Sequence, residues 1–142
     1  MSDDLTKEVI FLTGNVRLFL FDNKDDEAIE TLNEIINKLS IVNTEDELKK
    51  ILLLSYIDRI ELFYKKEKFE DLVNDVNCLK KLNYNIYRDK RMLLIYHKSQ
   101  KAINDYNMIQ DLEKFERFDK EIEDYKENII NSSKKRKKNQ SK

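Results

Sequence analysis

Carboxylates are many in this chain, 28 in all, but none is marked out for catalysis. Histidine occurs once, as His97, and cysteine once, as Cys78. His97 stands among Arg91, Lys98 and Lys101, whose charges disfavour a metal cation. No second histidine exists to complete a two-histidine zinc or iron site. Cys78 neighbours Leu79 and Leu82 and reads as a small core hydrophobe, because a nucleophilic thiol needs a base beside it. The stretch "DNKDDE", Asp22 to Glu27, is superficially like a calcium loop. It lacks the glycine and the bidentate glutamate such a loop requires, so it reads as an acidic turn leading into a helix. A single glycine, Gly14, excludes a glycine-rich phosphate loop. The expectation is therefore no catalytic residue, no metal, no cofactor and no enzyme.

What remains is binding chemistry, and charge marks where to look. Residues 1–75 carry 10 basic and 18 acidic side chains, residues 76–104 carry 7 and 1, residues 105–133 carry 4 and 9, and residues 134–142 carry 6 and none. A formal charge of −1 thus hides two basic zones. The first contains "NYNIYRDKRMLLIYHKSQK", Asn83 to Lys101. Arg88, Arg91 and Lys98 have the spacing of one helix face. Lys101 extends it, Tyr84 and Tyr87 stand at its start, and Lys80 and Lys81 close the preceding helix. Such a face suits phosphate, with tyrosines to stack on unpaired bases. It equally suits an acidic partner, or internal pairing with the acidic third and sixth helices. The second zone is Lys134, Lys135, Arg136, Lys137 and Lys138. It reads as a nuclear-localisation-type cluster, an RNA-contacting tail or a solubilising segment.

Both zones need elements to position them. The chain has 142 residues, 39% charged and 40% apolar, with no proline. That composition points to one all-α domain. Apolar spacing predicts six helices, near 3–21, 25–39, 45–65, 68–82, 86–106 and 109–130, paired as antiparallel hairpins. Val9, Leu12, Val16 and Phe19 form the stripe of the first. Thr44 and Glu47 make a capping box for the third. Asn83 suits the left-handed position that ends the fourth. Ile109, Leu112, Phe115, Phe118, Ile122, Tyr125 and Ile129 form a regular stripe on the sixth. The helical domain is expected over 1–131, with a disordered basic tail over 132–142. A lone cysteine, an acidic N-terminus and no long apolar run predict a cytoplasmic protein without a membrane span, nuclear in a eukaryote.

The helix pairs admit a repeat. Tyr56, Ile60 and Phe63 precede a turn at Phe69, and Leu72, Val76 and Leu79 follow it. The first hairpin offers Leu12, Val16 and Phe19, then Ala28, Leu32 and Ile35. The third offers Ile103, Tyr106, Leu112 and Phe115. This pattern resembles the tetratricopeptide repeat over about residues 5–130. The chain departs from the family in lacking its glycine and terminal proline, and in stepping 44 residues from Ala28 to Leu72 rather than about 34. A compact bundle without repeat logic shares the same apolar spacings. The resemblance implies protein or peptide binding on a concave face.

The expected function is a non-enzymatic interaction module, a small adaptor or assembly subunit. Its partner is another protein, bound through Tyr84, Tyr87, Arg88, Arg91 and Tyr96. The alternative is an RNA- or ribosome-associated accessory protein using Lys80, Lys81, Arg88, Arg91, Lys98, Lys101 and the tail.

Overall fold

The computed structural model describes residues 2–41, 46–113 and 120–140. They form six helices: α1 (Ser2–Phe21), α2 (Asp25–Ser40), α3 (Asp46–Lys65), α4 (Phe69–Lys81), α5 (Lys90–Glu113) and α6 (Lys120–Gln140), with a 3₁₀ turn at Ile86–Arg88 before α5. There is no strand among the described residues. The chain divides into two compact units, residues 1–96 and 97–142, and the division falls inside α5.

The first unit is two antiparallel hairpins, α1/α2 and α3/α4, followed by the 3₁₀ turn and the start of α5. Each hairpin closes in the same way. Asn23 at φ 57° ends α1 and Glu67 at φ 59° ends α3. The amide of Lys24 donates to the Phe19 carbonyl at 2.8 Å, and that of Lys68 to the Phe63 carbonyl at 2.8 Å. A left-handed residue here turns the chain back and satisfies carbonyls that the helix leaves open. Asn83, at φ 66°, ends α4 by the same device, as its residue type predicts. The hairpins also share a register. Ser2 to Asp46, Phe21 to Lys65, Asp25 to Phe69 and Asp46 to Lys90 are each a step of 44 residues. The step from Ala28 to Leu72 is therefore a property of whole elements.

The core of this unit follows that register. Val16 and Ile60 from the first helices, and Leu32, Ile35, Val76 and Leu79 from the second, are all nearly or fully buried. Each such side chain contributes about 1.5–3 kcal/mol through burial. Met92, Ile95 and Tyr96 at the start of α5 complete the same cluster. Arg59 crosses the middle. Its Nε and Nη2 donate to the two Asp75 carboxylate oxygens at 2.7 and 2.6 Å, and its Nη1 donates to Asn33 Oδ1 at 2.8 Å. One guanidinium thereby ties α2, α3 and α4. Pairs at the hairpin ends, Lys65–Asp25 at 2.7 Å and Lys66–Asp26 at 2.6 Å, place carboxylates at the N-terminus of α2 and cations at the C-terminus of α3. Both helix dipoles favour that placement.

Several boundaries differ from the sequence reading. The fifth helix starts at Lys90, because Asp89 caps it: Asp89 Oδ1 accepts from the Met92 amide at 3.0 Å. Arg88 therefore stands in the 3₁₀ turn and shares no helix face with Arg91 and Lys98. The same helix runs on to Glu113, so Ile109 and Leu112 belong to α5 rather than to the sixth helix. Phe115 and Phe118 lie outside the described residues, as does the Thr44 side of the capping box. The basic run expected as a disordered tail continues α6 to Gln140. No proline or glycine stands there to stop it, and Lys, Arg and Gln are good helix formers.

In the second unit, Lys101 pairs with Asp105 at 2.8 Å along α5, and Lys126 of α6 lies 3.7 Å from Glu113.

Candidate functional site

The residues expected to bind a partner do not present a single surface. Tyr96 is 9% exposed, and Lys80 covers it. The Lys80 ammonium lies 4.6 Å from the ring centre and donates to the Tyr96 hydroxyl at 3.2 Å. The Tyr84 hydroxyl donates to Asp89 Oδ2 at 2.7 Å. That bond and partial burial push the phenol up to about 12. Arg91 donates to both carboxylate oxygens of Glu61, at 3.1 and 3.0 Å, and stacks 5.5 Å from the centre of the Tyr64 ring. Internal pairing with the acidic third helix is thus realised for Arg91. Tyr87, at 72%, and Arg88, Lys81 and Lys90 are exposed. Tyr84, Asn85, Arg88, Asp89 and Lys90 line an open depression of about 450 Å³. Lys98 is exposed on α5 in the second unit, where Lys101 also lies. Lys134 is exposed on α6. Lys135, Arg136, Lys137 and Lys138 continue that helix, and their side chains lie outside the described residues.

A different surface of the first unit has the form of a binding site. Helix α1 has two apolar faces. Val9, Leu12 and Val16 face the core. On the opposite side Ile10, Phe11, Leu18 and Phe21 are 55, 68, 64 and 86% exposed. At 100° per residue, these four span an arc about 100° wide, with Gly14 near its middle. The face borders a groove of about 440 Å³ between α1, α2 and α3. Ile10, Gly14, Leu54 and Ile51 form its walls, Leu32 and Ile35 its floor. Leu54 holds the position in α3 that Ile10 holds in α1, 44 residues on, and it is 54% exposed. At the rim, Arg17 donates to Asp58 Oδ2 at 2.9 Å. Burial pushes the Asp58 carboxyl up, against the pull of that guanidinium.

Gly14 is informative here. It lies mid-helix without positive φ, where glycine costs roughly 0.5–1 kcal/mol relative to alanine. A Cβ built on it meets nothing within 4 Å, so no neighbour in this chain requires its smallness. The sequence signal for this face is a second apolar stripe one position off the first. A reading that takes only the strongest period passes over it.

Catalytic chemistry finds no comparable arrangement. Cys78 is half-buried, and His97 is exposed. Among the described residues, no three His, Cys, Asp or Glu side chains are grouped to hold a metal ion. None of the described helices is long and apolar enough to cross a membrane. Comparison with protein-family models, curated proteins and solved structures finds no match.

Proposed function

We propose that this chain is a non-enzymatic protein–protein interaction module, an adaptor or assembly subunit of a larger complex, working through stacked helical hairpins of tetratricopeptide-like character. The observation that carries the reading is the outward apolar face of α1 beside the α1/α2/α3 groove. Four large apolar side chains stand exposed on one helix, around a glycine that the fold itself does not need. Contiguous apolar surface of this kind is costly in water and marks a contact. The binding surface is thus moved from Tyr84 and Tyr96, which hold the fold, to α1 and the Leu54 rim of the groove.

The test is affinity capture from the native host with wild type and Leu54→Lys, each divided into nuclease-treated and untreated halves. A defined protein that survives nuclease and is lost from Leu54→Lys supports the reading. Equal recovery on both chains refutes the groove.

A second reading, contact with RNA, draws support from the exposed Tyr87 beside Arg88, Lys81 and Lys90. It requires binding that weakens with salt, by about 0.7 log units per log salt for each phosphate neutralised on a single strand. It also requires that Arg88→Glu abolish the binding without unfolding the chain.

A further inference from the structure

We propose that the outward face of α1 pairs with the same face of a second copy of this chain, as an antiparallel helix pair crossing at Gly14. This deepens the preceding reading and rests on it: it names one occupant of that surface.

The face is complementary to itself in one orientation. Turning a second α1 end for end about Gly14 sets Ile10 against the partner's Leu18, and Leu18 against the partner's Ile10. The same rotation sets Lys7 against the partner's Phe21, where the aliphatic stem packs and the ammonium meets the ring face. The parallel arrangement would instead put Lys7 against the partner's Lys7, a like-charge contact. A two-fold pairing of this kind is isologous, the commonest closed form for soluble chains.

Gly14 supplies the geometry. Interaxial distances of 8–10 Å depend on the side chains at the crossing, and a glycine there permits the closest approach. This answers why the chain keeps its one glycine mid-helix with open space above it. The area reaches the threshold of a specific contact. Phe11 and Phe21 are 68 and 86% exposed, and an aromatic side chain buries on the order of 150–250 Å². Two such rings with Ile10 and Leu18 on each copy cover roughly 1,000 Å² in total, the lower threshold of a specific interface and the size of a weak, reversible dimer.

The test is sedimentation equilibrium and light scattering on the full chain. The expected mass is twice 17.2 kDa. Gly14→Gln introduces a side chain where this chain has room, so the variant keeps its helical circular dichroism, yet it sediments as a single species of monomer mass. Ile10→Lys and Leu18→Glu each abolish the dimer alone. Combined in one chain they restore it, because the antiparallel register sets the new opposite charges face to face. A wild-type monomer overturns the proposal, as does a dimer that survives Gly14→Gln. Single variants that dissociate without rescue in the double overturn the register. A monomer that still captures a protein through Leu54 refutes the self-pairing alone and leaves the interaction-module reading standing.

Discussion

Removing the carboxylate of Asp75 tests whether the Arg59 junction organises the first unit. The side chains of Arg59 and Asp75 are 17 and 5% exposed, and the guanidinium also lies over the Tyr56 and Phe63 rings at 5.5 and 5.6 Å. Breaking a buried pair by removing one partner costs about 3–5 kcal/mol, because the other charge stays desolvated. Arg59 retains Asn33 and some solvent, so Asp75→Ala falls near the lower end, about 3 kcal/mol. Arg59→Met strands the more deeply buried carboxylate and falls near the upper end. Its cost also depends on pH. Burial, helped by the neighbouring Asp71 charge, pushes the Asp75 carboxyl up against the pull of Arg59. A carboxyl whose folded pKa exceeds its unfolded value favours folding below the unfolded pKa and loses that contribution as pH rises through the folded pKa. The penalty of Arg59→Met therefore shrinks as pH falls from neutrality towards about 4. The double variant Arg59→Met/Asp75→Leu leaves no stranded charge and is expected to be neutral or more stable by about 1–4 kcal/mol. Urea unfolding followed by circular dichroism at several pH values gives all three free energies and the coupling between them. The reasoning is refuted if either single variant costs under about 1 kcal/mol, or if the double variant is less stable than the weaker single one.

Five further outcomes follow from named positions. Glu67 holds a left-handed conformation that costs an ordinary residue about 1–2 kcal/mol, so Glu67→Gly should stabilise by about 1 kcal/mol, read as a rise in melting temperature. Asn23→Gly, at the equivalent turn, should gain less, because asparagine tolerates that region. Tyr84 should ionise only as pH rises towards about 12. The stability from its bond to Asp89 is complete below about 10 and lost as pH rises towards about 12, and Tyr84→Phe should remove a step near 12 from the ultraviolet titration. Solvent screening holds that contribution to about 1 kcal/mol. Tyr96→Ala should cost about 3 kcal/mol or more in chemical unfolding, as a core truncation does. Arg88→Glu, on an exposed turn, should change stability by under about 0.5 kcal/mol.

The parts of this fold that were legible in the sequence are those set by local rules. Helix content followed from the absence of proline. The end of α4 at Asn83 followed from a residue that accepts positive φ, and the core stripes of α2 and α4 from a clean helical period. What escaped has physical causes of two kinds. Some features depend on partners distant in the chain. Arg59 and Asp75 meet only because the α3/α4 hairpin brings positions 16 residues apart onto one buried seam. Arg91 is tied down along the surface only because Glu61 stands across from it, 30 residues earlier. Other features arise where two local rules compete. Asp89 could continue a helix from Ile86 or cap one beginning at Lys90, and the cap prevailed because a carboxylate near the first amides is favoured by hydrogen bonding and by the helix dipole.

Helix α1 is the instructive case. Apolar residues on both of its sides cancel much of its amphipathic pattern, so the stronger stripe passes for the whole of it. A helix apolar on two faces belongs between two partners. Within this unit α1 has one, the remainder of the core. Gly14 lies near the centre of the other face, where it weakens the helix and where a Cβ would meet nothing within 4 Å. By propensity alone that glycine is a defect, and its cost becomes intelligible once a second helix lies against it. The residue least suited to α1 is therefore the one that best marks where α1 is used.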